Sequence, residues 1–381
     1  MPSPNPIFII ANNNLPNLYT TKFMSNNRIL FILKRKEDYN GIVDSHIGLS
    51  TGLYNSANFM NEMLQKANIT SNISVVTDNN DIDREVTKFK PTHVIIEALW
   101  VVQSKFSVLC KLHPNVKWIV RLHSETPFLA NEGIAFDWVA DYARFKNITI
   151  AANAPRALEE VRLYVKTALG ISNEEVKDKI IYLPNFYPQE YKSKQLDKSK
   201  EFVDIACFGA VRPLKNHMVQ AIAAVKFADK IGKKLRFHIN SGRIEMKGDA
   251  IVHNLKGFFT QLYPAGHRLI NHTWQPREEF LKTCATMDIG MQCSFSETFN
   301  IVGADLISQG VPLIASTEIP WASTLFCANP VESEDMYKIL LRTYNIYKVN
   351  VFLNQTFLTS YTNKTRKIWI EYFKNLSLIH I

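Results

Sequence analysis

The sequence predicts an α/β protein made of two doubly wound, Rossmann-like domains that face each other. Three features carry that prediction. Short apolar runs alternate with amphipathic helical stretches over most of the chain, the rhythm of a parallel sheet covered by helices on both faces. A polar, charged segment without an apolar face, residues 189–200, breaks the rhythm near the middle. The alternation then restarts and runs through a second set.

Taken in order, residues 29–33, 73–77, 93–97, 118–122, 148–152 and 180–183 read as strands of the first half, because each is a short apolar run bounded by polar residues. Residues 54–66 and 155–169 carry helical periodicity between them. After the linker, strands are expected over 203–208, 235–239, 289–292 and 311–315, and helices over 218–231, 276–286 and 301–308. The expected division is an Asn- and Pro-rich extension over 1–27, a first domain over 28–188, the linker over 189–200, and a second domain over 201–348. A closing segment over 349–381 contains a helix at 363–374 with Trp369, Tyr372 and Phe373.

Composition narrows the function classes. A chain of 381 residues, 46% hydrophobic and 11% aromatic, is long enough for two cores and too apolar for a disordered protein. No apolar run approaches the ~20 residues that cross a bilayer, and no basic region followed by a long apolar stretch opens the chain. Five scattered cysteines form no CxxC pair and no zinc-like cluster, so a reducing, cytoplasmic setting is expected, with no bound metal. Residues 1–190 hold 20 basic against 19 acidic side chains, and residues 191–381 hold 24 against 16. The positive excess therefore belongs to the second half, where it is either a solvated face or the counterpart of an anionic ligand.

Ligands of such sheets bind beyond the carboxyl ends of the strands, which directs attention to two loops. In Phe208-Gly-Ala-Val-Arg-Pro-Leu-Lys-Asn-His217, Gly209 permits a tight turn and a close approach. Arg212 and Lys215 lie just before a helix start, where positive charge is mildly unfavourable. A planar fork and a mobile point charge suit a diphosphate. The second loop runs Ser294-Phe-Ser-Glu-Thr-Phe-Asn-Ile-Val302, with Glu297 after a strand and a helix expected to start near Phe299–Ile301 with its free amides exposed. Asp305 lies about two turns into that helix, and Gly310-Val-Pro312 closes it. The bland readings are an ordinary acid at a helix N-terminus and a solvated aspartate.

Glu297 and Asp305, with seven residues between them, followed by Gln-Gly-Val-Pro-Leu-Ile-Ala-Ser316, resemble the E-x7-E region of retaining glycosyltransferases of family 4. The upstream Gly209, Arg212 and Lys215-Asn216 are similar to that family's diphosphate-binding loop. The resemblance spans most of 28–375 and is sharpest in the second half. It implies a GT-B fold with a central cleft and a C-terminal helix crossing back to the first domain. It also implies a nucleoside-diphosphate sugar, UDP- or GDP-linked, as donor and substrate, a carbohydrate-type acceptor, no further cofactor, and no requirement for metal. Arg212 and Lys215 would neutralise the diphosphate, and Glu297 would hold hydroxyls of the transferred sugar. Thr298, Phe299, Asn300, Ile301 and Val302 would present phosphate-binding amides, and Asp305 would meet the ribose. Thr273 and Trp274 fall where the family contacts the nucleobase. In the first half, Gly48-Leu-Ser-Thr-Gly52 resembles the glycine-rich loop near the phosphates, and His123 falls where the family keeps a histidine facing the sugar.

The sequence departs from the family in two places. The second acid is Asp305 and not glutamate, and Asn300 replaces the usual glycine after the loop phenylalanine. Asparagine tolerates a left-handed backbone better than most residues, so the turn is expected to survive. Two alternatives remain at this level: a nucleic-acid glycosyltransferase, disfavoured because the acceptor side is almost neutral, and a non-catalytic GT-B-like binding protein. Any membrane contact would be peripheral at most.

Overall fold

The computed structural model describes residues 27–35 and 51–375. The expected extension before Asn27 and Gly48–Ser50 of the glycine-rich loop lie outside the described residues. Eleven strands form two wholly parallel sheets among the described residues. The first contains β1 (Arg28–Lys34), β2 (Thr70–Val76), β3 (His93–Glu97), β4 (Lys117–Leu122), β5 (Ile148–Ala152) and β6 (Ile180–Tyr182), in the order β2-β1-β3-β4-β5-β6. The second contains β7 (Phe202–Ala206), β8 (Lys234–Ile239), β9 (Arg268–Asn271), β10 (Ile289–Gln292) and β11 (Leu313–Ala315), in the order β11-β10-β7-β8-β9.

Both faces of each sheet are buried, which explains why the strands read as continuous apolar runs. In β1, Leu30 and Ile32 enter one core with Ile96, Trp118 and Val120. The alternate residues Ile29, Phe31 and Leu33 enter the opposite one with Met60 and Ile119. In the second sheet Val203, Ile205 and Cys207 pack under the helix His217–Lys230. Ala206 and Phe208 face Ala304, Leu306 and Ile307 of the helix Ile301–Ser308.

Strand order reverses between β1 and β3 in the first sheet and between β7 and β10 in the second. Adjacent connections leave in opposite directions at such points and open a crevice beyond the strand ends. The loops after β7 and β10 are those that carry Gly209, Arg212, Lys215 and Glu297.

Two segments tie the halves together. The irregular stretch after β6 lies against the second half, where the Lys194 ammonium donates to the carbonyl of Ala285 at 2.6 Å. Gly310, at φ +76°, has no room for a side chain there: an added Cβ would lie 2.7 Å from the Lys192 carbonyl oxygen. The second tie is the helix Tyr347–Asn375, about 44 Å long at 1.5 Å per residue. Near its start, Asn350 exchanges two hydrogen bonds with the Leu313 backbone, at 2.9 and 2.8 Å. Near its end, Trp369 and Phe373 are buried in the first half's core. The helix starts well before the expected 363–374, and its first half carries Asn350 and Asn354 buried against backbone groups.

Candidate active site

The loop after β7 turns at Gly209, whose φ of +116° favours glycine. Its amide donates to the Asn240 side chain at 3.1 Å, and the Lys215 ammonium would lie 3.8 Å from any added Cβ. A short 3-10 turn, Pro213–Lys215, ends at Asn216, itself left-handed at φ +58°. The Asn216 side chain donates to the carbonyls of Cys293 and Pro330, at 3.1 and 2.6 Å, and so fastens this turn to the loop after β10. Lys215 is directed at Glu297 and bonded to its carboxylate, with both side chains almost fully buried. Burial pushes the Glu297 carboxyl up, but Lys215 and Arg212 outweigh it and hold it below the ordinary glutamate range.

Arg212 takes a separate partner in this structure. Its Nη1 donates to Glu245 at 2.8 Å, and Glu245 also pairs with Arg243 at 2.6 Å. The Arg212 guanidinium lies 4.7 Å from the ring centre of Phe128 in the first half, and its buried Nε has no partner among the described residues. The expected convergence of Arg212 and Lys215 on one anion thus appears as two neighbouring ion pairs.

The helix Ile301–Ser308 begins at Asn300, which adopts φ +62° as its glycine-like position requires. The Asn300 carboxamide accepts from the Gly303 amide at 2.8 Å and donates to Gln292 at 2.9 Å. The amides of Ile301 and Val302 precede that cap and have no intrahelical acceptor. Both residues line a cleft together with Gly52, Gly209, Trp274 and Asp305. Six of the residues singled out from sequence, drawn from both halves, therefore share one cavity wall. The Phe299 side chain does not: it packs among Tyr187, Trp321 and Tyr361. Thr273 is exposed beside the cleft, and Thr298 is buried in the contact between the halves.

Asp305 is buried, not solvated. Its Oδ1 accepts from Arg277 Nη1 at 2.6 Å and from the Tyr187 hydroxyl at 2.8 Å. Burial raises its carboxyl above the ordinary range against the opposing pull of Arg277. Arg277 lines the cleft as a further cation and stacks on Phe59, 4.6 Å from the ring centre. It lies outside both loops that the sequence motifs select. The detectable signal was the one that marked Arg212, a cation at a helix start, here the helix Arg277–Thr286.

A second missed residue is Glu97, the last residue of β3 and fully buried. Arg121, its register partner on β4, donates to both of its oxygens at 3.2 Å, and His123 Nε2 is bonded to Oε2. The His123 carbonyl accepts from the Thr298 hydroxyl at 3.1 Å, and Asn153 donates to that same hydroxyl oxygen at 3.1 Å. His123 is thereby joined to the residue that follows Glu297. A charged residue closing an otherwise apolar buried strand was the available signal.

A larger groove lies on the other side of Arg277 and Tyr187, bordered by Phe59, Lys66, Gln309 and Arg366. None of the residues singled out from sequence lines it, and neither Ile301 nor Val302 does.

No protein-family model and no curated protein matches this chain by sequence. Solved structures do match in fold. The Anabaena protein HepE in complex with UDP is 12% identical, with a TM-score of 0.59, over 93% of this chain and 100% of that one. A UDP-forming α,α-trehalose-phosphate synthase from Burkholderia xenovorans is 10% identical, with a TM-score of 0.62, over 92% and 98%. The N-terminal domain of a Candida albicans trehalose-6-phosphate phosphatase is 13% identical, with a TM-score of 0.67, over 94% and 98%. Their common architecture is the GT-B fold, two Rossmann-like domains, and this chain has it. Identities this low show a shared fold, and a fold alone does not assign an activity.

Proposed function

We propose that the chain is a glycosyltransferase that moves a sugar from a nucleoside-diphosphate donor to a carbohydrate-type acceptor with retention of configuration, as in family 4. The observation that carries this reading is one cleft at the β7/β10 reversal. There the turn at Gly209 and the helix-start residues Ile301 and Val302 line the cleft, and the Lys215–Glu297 pair lies behind that wall, its ammonium 3.8 Å from where a Cβ on Gly209 would stand. The neighbouring folds support it: HepE has been solved with UDP and with UDP-glucose.

In this reading the donor diphosphate lies against Lys215, Arg212 and the two helix amides. The negative charge that builds on the departing phosphate is met by fixed cations and dipoles, in the role that a metal ion fills elsewhere. Glu297 accepts from sugar hydroxyls and strengthens those bonds as the anomeric carbon becomes cationic. The bond from that carbon to the phosphate oxygen breaks, the acceptor oxygen bonds on the same face, and its proton passes to the leaving phosphate. Asp305 and Arg277 order the nucleoside side of the cleft, and the first half, with His123, faces the sugar.

A panel of nucleotide sugars tests the reading by thermal denaturation in chelator. A donor at a hundred times its dissociation constant stabilises by about 2.7 kcal/mol, and hydrolysis or transfer of that donor should persist in EDTA. Absence of stabilisation by every nucleotide sugar and every free nucleoside diphosphate would end the proposal.

A further inference from the structure

The group formed by Glu97, Arg121 and His123 does more than fill the end of the first sheet. Glu97 has no solvent exposure, and Arg121 has none. Every guanidinium nitrogen has an acceptor: Nη1 both Glu97 oxygens, Nε the Leu183 carbonyl at 3.1 Å, Nη2 the Asn185 side chain, with Cζ 5.1 Å from the ring centre of Trp369. One buried carboxylate is thus balanced by one buried guanidinium. A protonated His123 would add an uncompensated positive charge to that site, which burial resists. Burial, with Arg121 adding to it, outweighs the attraction of Glu97 and lowers the ring's proton affinity.

A neutral imidazole carries one N–H, and an ionised carboxylate can only accept. The bond between Nε2 and Glu97 therefore fixes the proton on Nε2 and leaves the lone pair on Nδ1. Nδ1 is not sealed in the core, and no described residue bonds to it. The backbone of the same residue is fixed by Thr298 across the interface between the halves.

We propose that Glu97 is a positioning residue that locks His123 as the neutral Nε2–H tautomer, so that Nδ1 is a fixed acceptor for a hydroxyl of the bound sugar. The part concerning the sugar rests on the glycosyltransferase reading, whereas the tautomer does not. Arg121 is the counter-charge that lets the carboxylate remain ionised without exposure.

The test is nitrogen-detected NMR of the histidine ring in uniformly labelled protein, with His123 assigned by the signals lost in His123→Asn. At neutral pH the wild-type ring should show an Nε2-bound proton and a bare Nδ1. In Glu97→Gln the carboxamide can donate to Nε2, so the proton should shift to Nδ1. Turnover should then fall by about ten- to a hundredfold, as when outer partners of a working histidine are removed, while nucleoside-diphosphate affinity changes less than about twofold. If Glu97→Gln does not fold, the wild-type spectrum alone decides. A ring protonated on Nδ1, or on both nitrogens, overturns the proposal. A folded Glu97→Gln with the wild-type tautomer or full turnover does so as well. Calorimetry with UDP and GDP separates the two readings: if neither binds while the Nε2–H tautomer is found, the glycosyltransferase reading fails and the tautomer assignment stands.

Discussion

Replacing Lys215 by alanine should damage the protein in two separable ways. Lys215 and Glu297 form an ion pair whose side chains are 10% and 7% exposed. Removing one member of a buried pair typically costs about 3–5 kcal/mol, because the other charge is left without compensation. Arg212 still lies close enough to favour the ionised Glu297, which puts the expected loss near the lower end, about 3 kcal/mol. Loss of a charge-assisted bond to the diphosphate should add a separate fall in donor affinity of about 1.5–3 kcal/mol, roughly ten- to a hundredfold. The double variant Lys215→Ala, Glu297→Gln removes the stranded charge. It should regain most of the stability and none of the affinity.

The pH dependence of stability should also change sign. In the native pair the Glu297 carboxyl is depressed, so its stabilising contribution is present above the unfolded-state value and is lost as pH falls through the folded one. Without Lys215 burial dominates, the folded value rises, and stability declines as pH climbs from acid toward neutrality. Denaturant titrations across this range, with calorimetry of a nucleoside diphosphate, provide the readout. The reasoning is refuted if Lys215→Ala is as stable as the wild type, or if the double variant recovers donor affinity together with stability.

Other perturbations test other links. Asp305→Asn and Arg277→Gln should each weaken binding of donor and of free nucleoside diphosphate, with turnover at saturation little changed. Their combination should cost less than the sum because they share one contact; normal nucleotide binding by either would remove the pair from the nucleotide site. Asn300→Val should lose about 2–3 kcal/mol through left-handed strain and loss of the cap, and Asn300→Gly should lose less, since it keeps the backbone freedom. Equal thermal stabilities for these two variants would contradict the capping account. Trp369→Ala should lose about 3–5 kcal/mol in denaturant unfolding, because the ring fills the first half's core from the returning helix and bonds the Pro184 carbonyl at 2.8 Å. A loss below about 1 kcal/mol would mean that the crossing contributes little.

The fold was legible wherever a local pattern determines the element. β3, β5 and β10 and the helices Pro155–Leu169 and Ile301–Ser308 fall on the residues that periodicity selects. β9 escaped because Arg268–Asn271 is four residues long and only half-buried, which leaves no alternation to read. The second half of the site was legible because its loops are continuous in sequence: Gly209, Arg212 and Lys215 share one turn, and Glu297 through Asp305 share another. The residues that complete it were not. Arg277 meets Asp305 from a different element, Tyr187 reaches Asp305 from the connecting segment, and Glu97 meets His123 through the register of two parallel strands. Such pairings come from topology, and no window of sequence contains them. The solvated aspartate weighed for Asp305 is likewise replaced by a buried, paired one, because Arg277 covers the helix face that it occupies.

The central claim is that a nucleoside diphosphate sits with its phosphates on the loop after β7 and on the helix that follows β10. A crystal structure of the protein with bound UDP or GDP, collected without added metal, tests it most directly. The account predicts the terminal phosphate within hydrogen-bonding distance of Lys215 and of the Ile301 and Val302 amides, with Arg212 turned from Glu245 toward the same group. A nucleotide found in the groove behind Arg277, or on the first half alone, would contradict it.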